Sequence, residues 1–242
     1  MKRIVCQNYA ELSLAGAMVF AEQIRRKPDS VLGFATGGSP VGLYDALAGL
    51  YKDGALDFSR VTTFNLDEYY PMAPSREQSY ARFMWENLFS RVNADRDRVH
   101  LHDGEAADPA AACEAYEKAI ALAGGIDLQL LGIGHNGHIA FNEPADELPV
   151  HTGVVSLTER TVDANTRFFS SRDEVPRRAL SMGVGSILAA RRILMVASGA
   201  DKAPAVQKMF SGTVTTQLPA SLLQLHPDVL VLLDREAASL LP

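Results

Sequence analysis

Ile126-Asp-Leu-Gln-Leu-Leu131 runs without a break into Gly132-Ile-Gly-His-Asn-Gly-His138-Ile-Ala-Phe-Asn-Glu143-Pro144. The first six residues are short and aliphatic, as a strand buried on both faces requires. The residues that follow cannot extend it. Gly132, Gly134 and Gly137 remove the side chains that pack a sheet and let the backbone approach a ligand closely. A buried strand that opens into a glycine-rich polar loop marks the ligand-facing edge of a parallel sheet. His138 adds a group that titrates near neutral pH. Glu143 can orient or charge-stabilise that imidazole, and Asn136 can fix its tautomer.

The same grammar repeats along the chain. Arg3–Cys6, Val31–Ala35, Val61–Phe64, Ile193–Ala197 and Val229–Leu233 read as further short buried strands. Between them, Tyr9–Arg26, Pro40–Leu50, Gln78–Phe89, Pro109–Ala123 and Ala203–Phe210 carry helical patterns, with Ser39 as N-cap and Pro40 at the first helical position of the second. Alternating strands and helices predict an α/β fold: one domain spanning residues 1–242, a mostly parallel sheet with helices on both faces, Rossmann-like.

The other strand ends then become the places to search. Thr36-Gly37-Gly38-Ser39-Pro40 leads from the second strand into a helix. Its flexible backbone, hydroxyls and helix N-terminus suit a phosphate, although a tight turn with a serine cap uses the same residues. It is neither a P-loop nor a dinucleotide fingerprint. After the third strand, Asp67 and Glu68 are adjacent carboxylates that point in different directions. Asp67 is the candidate base facing a ligand, and Glu68 is structural. Arg167 and Lys202 are cations able to close a phosphate site with the glycine loop. His135-x-x-His138 lacks a third metal ligand at useful spacing, so no metal is expected. His135 reads as solvent-facing or as a residue one step behind the site, and His100, His102, His151 and His226 as structural.

Composition excludes other classes. The 242 residues carry a net charge of −6, which disfavours a nucleic-acid groove. No apolar run is long enough for a membrane span, and Gln7, Asn8 and Glu11 interrupt any signal-peptide core, which together predict a cytoplasmic protein with no membrane partner. Cys6 and Cys113 belong to no paired motif and read as reduced thiols.

Taken together, Thr36–Pro40 (TGGSP), Phe64–Tyr70 (FNLDEYY), Gly132–Pro144 (GIGHNGHIAFNEP), Thr166–Phe169 (TRFF) and Ser198–Ala203 (SGADKA) resemble the glucosamine-6-phosphate deaminases in their shorter bacterial form. The likeness runs in order from about Val31 to Leu233. It implies hydrolytic conversion of glucosamine 6-phosphate to fructose 6-phosphate and ammonia, with no cofactor. It further implies that His138, supported by Asn136 and Glu143, opens the sugar ring and that Asp67 moves a proton between C2 and C1. Thr36, Gly37, Gly38, Ser39, Gly132, Arg167 and Lys202 would hold the phosphorylated amino sugar. Asn136 departs from the aspartate of larger hexameric members, which leaves Glu143 as the one carboxylate supporting the imidazole. Gly153 and Val155 stand where allosteric members carry basic residues, so no activation by N-acetylglucosamine 6-phosphate is expected; the chain is a monomer or homo-oligomer. Two alternatives remain: a 6-phosphogluconolactonase, which usually lacks the FNEP carboxylate, or a non-enzymatic sugar-phosphate sensor domain, which tends to lose the acid/base residues. His151–Thr166 is the candidate cover of the site.

Overall fold

A computed structural model describes residues 1–242. Its first half contains β1 (Lys2–Cys6), α1 (Tyr9–Arg26), β2 (Val31–Phe34), α2 (Val41–Lys52), β3 (Thr62–Asn65), β4 (Asp67–Tyr70), α3 (Tyr80–Asn87), β5 (Val99–His100) and α4 (Pro109–Leu122). The second half contains β6 (Leu128–Leu131), β7 (Gly153–Ser156), α5 (Glu159–Asn165), β8 (Arg178–Ser181), α6 (Val184–Leu188), β9 (Ile193–Ala197), α7 (Ala203–Met209) and β10 (Val229–Asp234).

Seven strands form a parallel sheet in the order β1-β10-β9-β6-β2-β3-β5, flanked by helices. All six strands expected from the sequence lie in it, displaced at their ends by no more than a turn residue or two. Their apolar runs are explained by burial: every residue of β2, β6 and β9 is buried. From β2 the chain first builds outward through β3 and β5, then returns to place β6 on the other side of β2. The loops leaving β2 and β6 therefore part from each other at a topological switch point, where the strand ends leave a crevice.

A second, antiparallel sheet of β4, β8 and β7 was not legible in the sequence. It makes the fold mostly, not wholly, parallel. The two sheets have separate cores. Forty-nine buried residues pack around the large sheet, and a cluster of eight, including Tyr69, Phe141, Val162 and Phe169, packs beside the small one. The loop after β6 joins them, because Ile139 belongs to the large core and Phe141 to the small.

One local expectation is corrected. Ser39 does not cap α2; Pro40 occupies the cap position in a helical conformation, and no side-chain cap bond forms there. The Tyr9 hydroxyl takes that role from α1, accepting from Gly42 N–H at 2.8 Å and donating to Gly38 C=O at 3.0 Å. Ser39 is thereby left free beside the crevice.

Candidate active site

The crevice at the switch point is a half-open cleft of about 240 Å³ lined by Thr36, Gly37, Gly38, Ser39, Asp67, Gly132, Asn136, His138, Arg167 and Lys202. Glu143 alone among the candidate residues stands outside the lining, buried behind His138.

At one end lies the loop after β2. Gly37 holds φ at +98°, a conformation strained for any residue with a Cβ. The backbone amides of Gly37, Gly38 and Ser39 make no hydrogen bond within the chain. Unpaired amides followed by a helix N-terminus form an anion-binding arrangement. Lys202 and Arg167 line the same cleft. Burial lowers the affinity of the Lys202 ammonium for its proton, and Asp201, 3.7 Å away, opposes that effect. His135 pairs with the same Asp201 carboxylate, separately from His138. Arg167 lies over the Phe168 ring at 4.7 Å and has no carboxylate partner, which leaves its guanidinium available to an anionic ligand.

Asp67 and Glu68 diverge at the start of β4. Glu68 turns away from the cleft and accepts from the Ser79 hydroxyl and from the amides of Tyr69, Tyr80 and Ala81, satisfying the first turn of α3. Asp67 faces the cleft and is buried. Burial, with a smaller contribution from the neighbouring Glu68 charge, pushes its carboxyl up to about 8. No donor compensates. A carboxylate in that state is suited to exchange protons near neutral pH.

The loop after β6 builds the other acid/base group. A Cβ on Gly134 would come within 2.4 Å of His138 Cε1 and Nε2, so the imidazole lies directly on this glycine. His138 Nδ1 is 3.0 Å from Glu143 Oε1, a close contact that becomes an ion pair when the imidazole is protonated, and Nδ1 has no partner in aligned hydrogen-bond geometry. Burial works against ionisation of Glu143, but His138, the Thr161 hydroxyl and the Asn136 amide outweigh it and hold the carboxyl at about 2. Asn136 does not touch the imidazole, contrary to the expectation that it fixes the tautomer. Its amide nitrogen donates to Glu143 Oε2 and its oxygen accepts from the His138 backbone N–H at 3.2 Å. Both ends of its amide are thus engaged, one by the loop backbone and one by the carboxylate.

Three of the other histidines have structural surroundings, whereas His151, also expected to be structural, is exposed and lies 3.9 Å from Glu117. His100 stacks on Phe64, while His102 and His226 bond backbone carbonyls. The expected cover is only partly at the cleft. Gly153–Ser156 is fixed as β7, and the chain reaches the cleft from Arg160 through Thr161, Ala164, Asn165, Arg167 and Phe168. Sequence reading missed all of these but Arg167. Counting back from it at helical spacing would have reached Ala164 and Arg160.

Residues 8–231 match the protein family described as glucosamine-6-phosphate isomerases/6-phosphogluconolactonase. The chain belongs to this family. Within it, the chain is 54% identical over 241 residues to the glucosamine-6-phosphate deaminase of Halothermothrix orenii, covering 100% of both chains. A solved structure of a monomeric glucosamine-6-phosphate deaminase is 46% identical, with a TM-score of 0.97 over 99% of this chain and 100% of that one. A 6-phosphogluconolactonase from Trypanosoma brucei shares the fold, at a TM-score of 0.79 and 23% identity over 100% and 98% of the two chains.

Proposed function

We propose that this family member converts glucosamine 6-phosphate and water to fructose 6-phosphate and ammonia. The observation that carries the reading is the pairing of His138 with an ionised, buried Glu143 in the same cleft as the isolated carboxyl of Asp67. Two acid/base groups of different character serve two different proton transfers.

In this reading the phosphate rests on the free amides of Gly37, Gly38 and Ser39, with Lys202 and Arg167 as counter-charges. That remote binding energy holds the sugar in place for the chemistry. His138 takes the proton of the anomeric hydroxyl and delivers one to the ring oxygen, which opens the ring to the aldehyde. Glu143 stabilises the imidazolium that exists between those events. Asp67, as carboxylate, removes the C2 proton while O1 gains a proton given up by the C2 ammonium, which gives an enolamine, and Asp67 then returns a proton to C1. The resulting C2 imine takes up water and releases ammonia, leaving the ketone of fructose 6-phosphate. Every step is a proton transfer or hydrolysis.

Lactone hydrolysis needs no ring-opening proton shuttle, so it gives no use for the Glu143 contact. Likeness to a monomeric relative supports action as a single copy. No helix is long and apolar enough to cross a membrane, and a phosphorylated sugar substrate supports a cytoplasmic place of work. A coupled assay tests the reading: ammonia and fructose 6-phosphate are expected in equal amounts from glucosamine 6-phosphate. Hydrolysis of 6-phosphogluconolactone without ammonia release from the amino sugar overturns it.

A further inference from the structure

We propose that Thr161 is a positioning residue that ties α5, the helix over the cleft, to Glu143, so that the His138–Glu143 pair is set when α5 is seated. The inference rests on the deaminase reading of that pair and adds a residue to it.

Glu143 meets three groups. His138 and Asn136 come from its own loop, whereas Thr161, whose hydroxyl donates to Glu143 Oε1, comes from α5. The direction of that bond is fixed. The Thr158 hydroxyl, 3.1 Å away, donates to Thr161 Oγ1, and an ionised carboxylate can only accept, so the Thr161 proton points at Glu143. The bond is buried at both ends, with Thr161 and Glu143 each under a tenth exposed. A hydrogen bond to a charged group in such surroundings is stronger than one at the surface.

The same helix faces the ligand. Arg160, Ala164 and Asn165 line the cleft, and Arg167 follows one turn later. On its inner side, wholly buried Val162 packs in the eight-residue cluster with Phe141, which belongs to the loop that carries Glu143. Thr161 thus sits on the helix that both lines the cleft and reaches the carboxylate behind His138. A ligand that draws Arg160 and Arg167 inward seats the helix, and the hydroxyl transmits that position to Glu143. A merely structural hydroxyl would satisfy the carboxylate and nothing more, and its loss would lower stability without selecting among kinetic constants.

The test compares Thr161→Val, which keeps the shape and removes the donor, with Thr161→Ser, which restores it. Kinetics of ammonia release from glucosamine 6-phosphate are measured with the melting temperature and, on the free protein, the ¹⁵N shifts of the His138 ring. Thr161→Val is expected to lower kcat about tenfold, the loss of one charge-assisted hydrogen bond, with KM changing less than about threefold. The His138 ring shifts move in Thr161→Val and stay in place in Thr161→Ser, whose kcat is within about twofold of the parent. Should Thr161→Val not fold, Thr161→Cys, a weak donor of similar size, carries the same expectations. Unchanged kcat and unchanged ring shifts in the donor-free variant overturn the proposal, as does a Thr161→Ser variant equal in defect to Thr161→Val. If the parent protein releases no ammonia, the deaminase reading fails while the ring shifts still decide whether Thr161 acts on the pair.

Discussion

The loops Thr36–Ser39 and Gly132–His138 leave the middle of a seven-stranded parallel sheet, whereas Asp67 opens a strand of a three-stranded antiparallel sheet, and α5 packs through Val162 into the small core beside it. The first region offers backbone donors on a frame of 49 buried residues; the second offers a buried carboxyl and a covering helix on a frame of eight. Strands with both faces buried hold the unpaired amides of the first loop in place. A smaller core leaves its elements at the low end of local stability, where a cover that admits a ligand belongs. The Gly132–Glu143 loop spans both, so His138 is supported by the large sheet through Gly134 and by the small one through Glu143 and Thr161.

Four substitutions and one added ligand would break or sharpen this contrast. The largest effect is expected from Asp67→Asn, which removes the base of the small region while keeping its shape, and should lower turnover about a thousandfold. The same variant should be more stable than the parent in alkali. The folded-state carboxyl is raised to about 8, so its favourable contribution is complete in acid and is lost as pH rises through that value. Thermal melts at pH 9 and pH 4 check this: a higher melting temperature for the variant at the first, and near equality at the second.

Glu143→Gln comes next, with kcat expected to fall roughly 10- to 100-fold. Its stability signature has the opposite sign. The depressed carboxyl, at about 2, contributes above the ordinary carboxylate range and loses that contribution as pH falls toward 2. The parent should therefore exceed the variant in stability at neutral pH by a margin that shrinks in acid, which a pair of melts at pH 7 and pH 3 would read.

Two wholly buried valines compare the frames directly. Val196→Ala, in β9, should cost about 2 kcal/mol of global stability with kcat and KM near the parent values. Val162→Ala, in α5, should cost about 1 kcal/mol and raise KM severalfold. Urea unfolding with steady-state kinetics separates them, and equal kinetic silence of both would erase the distinction between the regions. The smallest effect is expected from N-acetylglucosamine 6-phosphate. With Gly153 and Val155 in place of basic residues, its addition should leave the substrate curve hyperbolic and unchanged.

The two regions also differed in how far they could be read in advance. Strands such as Ile193–Ala197 are continuous apolar runs because both faces are covered, and such runs stand out in sequence. Asp67–Tyr70 begins with two carboxylates, and Gly153–Ser156 alternates half-buried and exposed residues over four positions. Strands so short are held by their neighbours, and their own pattern carries little signal. The cleft residues after β2, β3 and β6 were legible because glycines and ionisable groups at strand ends have few other uses. Thr161 was not, because a threonine in a helical segment is ordinary until its hydroxyl is seen against Glu143. The cap of α2 was misassigned for a related reason: Tyr9, which supplies it, lies 33 positions from Gly42. Substrate identity came from the likeness to a family and could not be reached from periodicity or charge.

That one buried carboxylate carries hydrogen from C2 to C1 is tested most directly by converting glucosamine 6-phosphate in deuterium oxide and locating deuterium in the fructose 6-phosphate by NMR. A single base working from one face places deuterium at only one of the two C1 positions, and Asp67→Asn forms almost no product. Deuterium spread equally over both C1 positions, or turnover by Asp67→Asn at the parent rate, would contradict the role assigned to Asp67.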